Sequence, residues 1–113
     1  MSKIKMEEEQ SVFIEYFWDY PLIRVLDFLI LGRNMDYSMT EIAKNAGVGW
    51  TAFSEIWPHL VKKEIVIFTR KIGNAKLFQL NTKNSWVQEL IKMDKLITKI
   101  ETEKFLSQKE IVA

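Results

Sequence analysis

Apolar residues recur along this chain with two different periods. In SVFIEYFWDY, residues 11–20, the positions Val12, Phe13, Tyr16, Phe17 and Tyr20 keep a helical spacing. Pro21 follows, and proline is favoured at the first position of a helix, where its missing N–H is not needed. Leu22, Val25, Leu26, Leu29 and Ile30 then form a stripe down a second helix, which Gly32 is expected to stop by taking positive φ. SMTE, residues 38–41, has the form of a capping box: the Ser38 hydroxyl accepts from the Glu41 N–H and Glu41 reaches back. The short helix it opens turns Ile42, Ala43 and Ala46 inward and ends at Gly47. Another helix starts near Trp50, and so tight a glycine-containing turn between two helices reads as helix-turn-helix. On this last helix Phe53, Ile56, Trp57 and Leu60 step i, i+3, i+4, i+7 and form its buried face. Trp50, Thr51, Ser54, Glu55, Pro58, His59 and Lys62 are left outside.

The period then changes. IVIFTRK (65–71) is β-branched and aromatic, AKLFQL (75–80) alternates, and Gly73-Asn74 between them suits a tight hairpin turn. Arg70, Lys71 and Lys76 cluster around its tip. From Asn84 or Ser85 a final helix runs to about Glu103. Its Trp86, Leu90, Met93, Ile97 and Ile100 step by four and three, a seam of the coiled-coil type that predicts dimerisation. Trp86 and Leu90 also suit packing on the chain's own domain. The pattern divides the chain into an aromatic segment at 1–20, a central domain at 21–84, a dimerisation helix at 85–104 and a frayed tail at 105–113. Lys104 breaks the seam. The exposed aromatics Phe13, Phe17 and Trp18 are expected to join the same interface, since they would otherwise leave a large apolar patch.

Charge adds a direction to this plan. The chain of 113 residues carries a net charge of +1, but residues 61–85 hold six bases and one acid while residues 1–20 are net negative. A local excess of that size points to an anionic partner. The composition is that of an ordinary soluble domain, with 48% hydrophobic and 27% charged residues. With no cysteine there is no disulfide and no thiolate metal site, and an intracellular, cytoplasmic setting fits. The excess of lysine over arginine, with much Glu and Ile, fits a thermophile or an AT-rich genome equally. No signal peptide is visible, and the apolar run PLIRVLDFLIL is interrupted by charges and too short for a membrane span. His59 is the only histidine, so no metal centre is expected, nor any cofactor. No nucleophile–base pair, phosphate-cradling glycine loop or paired carboxylates suggest an enzyme.

SMTEIAKNAGVGWTAFSEIWPHLVKKEIV resembles the helix-turn-helix of MarR- and ArsR-like winged helix regulators, particularly small archaeal ones, where a pattern T-x-x-E-[IL]-A…G-V-S…L-x-x-L-x-x-x-G-[IL]-[IV] recurs. TRKIGNAKLFQLN resembles their wing. The resemblance covers about residues 21–84 and implies an α+β fold: a three-helix core, a β-hairpin wing and flanking helices. It also implies a homodimer on double-stranded DNA, with the third helix in the major groove and the wing on the minor groove or backbone. By position, Trp50, Thr51, Ser54 and Glu55 would fall where such helices meet base edges, with Lys62 on the same helix as a phosphate contact. Arg70, Lys71, Asn74 and Lys76 would lie on the wing, and Ser38, Thr40 and Lys44 near phosphates. Two departures stand out. Gly49 replaces a common N-cap serine, and Glu55 stands where many relatives have an arginine. A glutamate cannot hold a phosphate but can accept from cytosine N4. Pro58 is expected to kink the helix. A sequence-specific transcriptional regulator is the first expectation; a protein–protein adaptor and a DNA-architectural or partition protein are the alternatives. Any effector would bind at the dimer interface or act through a partner.

Overall fold

The computed structural model describes residues 10–112. The elements run α1 (Val12–Phe17), α2 (Pro21–Leu31), β1 (Tyr37–Ser38), α3 (Met39–Ala46), α4 (Trp50–Lys62), β2 (Val66–Ile72), β3 (Ala75–Leu80) and α5 (Ser85–Val112). This is the α+β winged helix architecture. Helices α2, α3 and α4 surround a core of Val25, Leu26, Leu29, Ile42, Phe53, Trp57 and Leu60, and the sheet closes one side with Val66 and Leu80. The stripe on α2 is buried from Val25 onward, while Leu22 stays exposed. On α4 the expected face is inward, with Ile56 half-buried at its edge.

The sheet has a strand beyond the two that alternation predicts. Tyr37 and Ser38 pair antiparallel with Phe78 and Leu77, giving the order β1-β3-β2. The β2–β3 hairpin turns on Gly73-Asn74 between the paired Ile72 and Ala75. Gly73 has φ +59 and Asn74 does not take positive φ, the pattern of a two-residue type II′ turn.

Three helix ends depart from expectation or refine it. Gly32 does end α2, but its φ is −98° and needs no glycine. The requirement is space: a Cβ there would lie 2.5 Å from the Tyr37 hydroxyl. Tyr37 is itself held by β1 pairing and by ring contact with Phe28. Gly47 takes the left-handed conformation, φ +71, and sends the chain into α4 after one turn. Glu64 occupies the place of the glycine in the winged helix pattern, and it too is left-handed, φ +57, after α4.

Helix α5 runs on through Lys104 to Val112, so the expected tail is helical instead of frayed. At about 1.5 Å per residue its 28 residues span about 42 Å. Asn84 clips it to the domain. Its Oδ1 accepts from the Trp86 N–H at 2.8 Å, and its Nδ2 donates to the carbonyls of Lys63 and Glu64 at the end of α4. The expected seam on α5 is split. Val87 and Ile97 enter the chain's own core, with Leu90 and Ile91 packed against it, while Trp86 and Met93 face outward. Ile97, at 4% exposure, therefore has little surface left for a partner.

Helix α1 covers α5 and α2 with Phe13 and Ile14. It is capped by Ser11, whose hydroxyl accepts from the Ile14 N–H and donates to Asp27 on α2 at 2.9 Å. The Tyr16 hydroxyl donates to Glu101 on α5 at 2.8 Å. Trp18 ends α1 with φ +72 and ψ 161, a region that is otherwise nearly restricted to glycine. Residues 1–9 of the expected N-terminal segment lie outside the described residues. Among the described residues, no helix is long and apolar enough to cross a membrane.

Candidate nucleic-acid interface

The outer face of α4 is open. Thr51, Ser54, Glu55, Pro58, His59 and Lys62 are all exposed. The helix continues through Pro58, with Phe53, Trp57 and Leu60 buried on either side of it. Pro58 nevertheless cannot donate to the Ser54 carbonyl. The Ser54 hydroxyl donates to the Thr51 carbonyl at 2.9 Å, and its oxygen still has lone pairs for another donor. At the helix start Gly49 offers no side-chain cap. The first backbone N–H groups of α4 are thus not met by a capping oxygen of that residue, and they lie beside Thr51.

Trp50 stacks on Phe53, ring centroids 5.5 Å apart, and stays 53% exposed. Phe53 stacks on Trp57 at 5.2 Å, Trp57 meets Phe78 of β3 edge-on at 5.0 Å, and Phe78 meets Phe68 of β2. One continuous aromatic column therefore links the start of α4 to the base of the wing. Aromatic pairs of this kind each add about 0.5–1.5 kcal/mol beyond burial. The column ties the wing to the start of α4.

At the start of α3 the capping box forms in full. The Ser38 hydroxyl accepts from the Glu41 N–H at 3.2 Å, and the Ser38 N–H donates to Glu41 Oε1 at 2.8 Å. The Ser38 N–H is thereby occupied. Thr40 and Lys44 are exposed on the same helix.

On the wing, Lys71, Asn74 and Lys76 are exposed at and beside the turn, and Lys71 pairs across the strands with Lys76. Like charges directly opposite each other repel, and an anion between them would relieve that. Arg70 is different. Its Nε and a terminal nitrogen donate to both carboxylate oxygens of Asp36, at 2.9 and 3.1 Å. Asp36 lies in the loop between α2 and β1. Thr69 also donates to it, at 2.6 Å. The Arg70 and Thr69 hydrogen bonds hold the Asp36 carboxyl down to about 2. Asp36 carries no sequence signal: it is separated from Arg70 by 34 residues and has no motif of its own.

The wing also carries apolar surface. Ile67, Phe68 and Ile72 are exposed, the last two by more than half. Phe68, Lys76 and Phe78 line a shallow hollow beside it.

No family model matches the chain, and no curated protein does. Solved structures do match. One is MepR, a transcription regulator of the Staphylococcus aureus multidrug efflux pump MepA, at 20% identity and TM-score 0.56, over 96% of this chain and 79% of that one. Another is the adhesin competence repressor AdcR of Streptococcus pyogenes, at 18% identity and TM-score 0.55, over 79% and 72%. A third is Sso10a-2, a DNA-binding protein from Sulfolobus solfataricus, at 12% identity and TM-score 0.50, over 79% of this chain and 90% of that one. The strand order, the glycine-turned α3–α4 pair and these likenesses agree: the chain has the winged helix-turn-helix fold.

Proposed function

We propose that the protein binds double-stranded DNA as a homodimer and acts as a transcriptional regulator. In this reading α4 enters the major groove and the wing lies on the adjacent backbone or minor groove. The observation that carries it is the pairing of an open helix face with a local cluster of cations, Lys71 and Lys76 on the wing and Lys62 and Lys63 at the end of α4. Thr51, Ser54 and Glu55 stand where base edges would be read, with Trp50 at the margin of that face. Arg70 is paired to Asp36, so the phosphate attraction falls mainly on the lysines.

For the dimer, the support is apolar surface on the flanking helices. Tyr16, Phe17 and Trp18 at α1, and Trp86, Met93 and Leu96 on α5, are exposed large hydrophobics. Removing α5 is not a clean test, because Val87 and Ile97 belong to the core. Met93→Glu with Leu96→Glu changes only outward positions. Light scattering should give twice the chain mass for the wild type and the single mass for the variant; a monomeric wild type refutes the dimer.

Titration of a random duplex at two salt concentrations tests the DNA reading. Each phosphate contact contributes about 0.9 to the slope of log K against log salt. Lys71→Ala/Lys76→Ala should flatten the slope by up to about 3.6 per dimer, at two contacts per protomer. No binding of the wild type at low salt would reject the reading. The exposed Phe68 and Ile72 favour the second reading, a protein-partner adaptor that uses the wing's apolar face. It predicts no duplex binding and a loss of partner capture on Phe68→Ser.

A further inference from the structure

Thr69 and Arg70 are neighbours on β2, and in a regular strand their side chains would point to opposite faces. Here both reach the same carboxylate. The register explains how. Phe68 pairs with Phe78 and Arg70 with Leu77, so Thr69 is an extra residue, a β-bulge. Bulges re-aim side chains. This one turns the base of the wing toward Asp36 in the loop after α2. The Thr69 hydroxyl is also 3.2 Å from the Leu77 carbonyl, inside the bulge.

The ion pair is bidentate. It uses two of the five guanidinium donors and leaves the other edge, while the Arg70 side chain stays 61% exposed and Asp36 only 16%. The cation is therefore neutralised and fixed, but not hidden. Lys71 and Lys76, next to it, have no ion pair among those recorded for the described residues.

We propose that Asp36 is a specificity-determining residue of the wing. It withdraws the charge of Arg70 from sequence-indifferent phosphate binding and presents only the remaining guanidinium edge, in a direction set by the loop after α2. The inference rests on the DNA-binding reading and assigns this chain's selectivity to a contact outside the reading helix. An arginine free on a flexible wing would strengthen binding to any duplex. One locked to a carboxylate adds little to general attraction and can contribute only where the groove meets its fixed edge.

The test is the binding of random duplex across a salt series by the full chain and four variants. Asp36→Asn keeps the shape and an acceptor oxygen for Thr69 but removes the charge. It should bind more tightly at low salt and steepen the slope by about 0.9 per protomer, or about 1.8 for a dimer. Between 50 and 200 mM salt that is about 12-fold more loss of affinity than the wild type shows. Arg70→Ala leaves the Asp36 carboxylate unpaired and should weaken binding at low salt, as an added negative charge on the wing does. Asp36→Asn/Arg70→Ala should return to the wild-type slope. Weaker binding by Asp36→Asn, or a slope for Asp36→Asn/Arg70→Ala flatter than the wild type's, overturns the proposal, because either shows Arg70 already acting as a phosphate contact. Should Asp36→Asn fail to fold by circular dichroism, the double variant against the wild type decides alone. Absence of wild-type binding would instead reject the DNA reading itself, and the Lys71→Ala/Lys76→Ala variant keeps the two failures apart.

Discussion

Gly47 and Gly49 stand two residues apart in the turn before α4, and substituting them should have opposite effects. Gly47 is left-handed, with φ +71, whereas Gly49 has φ −64 and ψ 151, ordinary extended geometry. A side chain at Gly47 costs roughly 1–2 kcal/mol in that backbone region. The added Cβ would also lie 3.2 Å from an Arg24 nitrogen, a small further cost because that side-chain tip can move. Alanine restricts the unfolded chain and returns roughly 0.4–1 kcal/mol. Gly47→Ala should therefore lose about 0.5–1.5 kcal/mol. Around Gly49 nothing lies within 4 Å of a Cβ. Serine there gains a few tenths of a kcal/mol as N-cap plus the unfolded-state term, about 0.5–1 kcal/mol in all. Urea unfolding followed by far-UV circular dichroism measures both, with the m-value expected unchanged. The two midpoints should move to opposite sides of the wild type. Midpoints shifted in the same direction would refute the backbone geometry assigned to this turn.

Other outcomes follow from the core and the carboxylates. Phe53→Ala removes the centre of the aromatic column and should cost about 3–5 kcal/mol, a large part of a domain's stability, measured by thermal unfolding. Asp27 is raised above its ordinary carboxylate value, first by burial, and Asp94 on α5 pushes the same way against the Ser11 hydrogen bond. Its ionised form thus costs stability above the unfolded value, and the cost is relieved as pH falls through the raised folded value. Asp27→Asn should accordingly be more stable than wild type at pH 7, with the advantage shrinking toward pH 4. Asp36 behaves oppositely: its folded value is lowered to about 2, so its contribution is complete above the ordinary value near 3.8 and is lost as pH falls toward 2. Asp36→Asn should therefore flatten the acid limb of the stability profile below pH 4.

The helices and the hairpin were legible because each has a strong period and a clear stop. Phe53, Trp57 and Leu60 mark one face, and Gly73-Asn74 marks one turn. Between α2 and α3 the sequence order leaves a short strand or a loop open, since two residues carry no period; Tyr37 and Ser38 become a strand because β3 lies beside them. The face of α5 is only partly legible because apolar residues surround much of it: Leu90 and Ile97 of the expected seam turn to the core together with Val87 and Ile91, and only contact with α1 and the core turns Trp86 and Met93 outward. Gly32 gave the right helix end for a reason that requires Tyr37 in three dimensions. Within the candidate interface, the open face of α4 and the wing lysines could be read from position. The Asp36–Arg70 pair could not, because neither a motif nor a spacing joins the loop after α2 to a bulge in β2.

The central claim is that two copies of α4 are presented to DNA by a dimer whose wings hold the flanking backbone. Hydroxyl-radical footprinting of the full chain on a duplex selected from a random pool tests it most directly. The account predicts two protected clusters with centres about 34 Å, or roughly 10 base pairs, apart, related by a pseudo-palindrome. Lys71→Ala/Lys76→Ala should weaken the outer edges of both. A single protected cluster, uniform protection along the duplex, or no protection at low salt would contradict it.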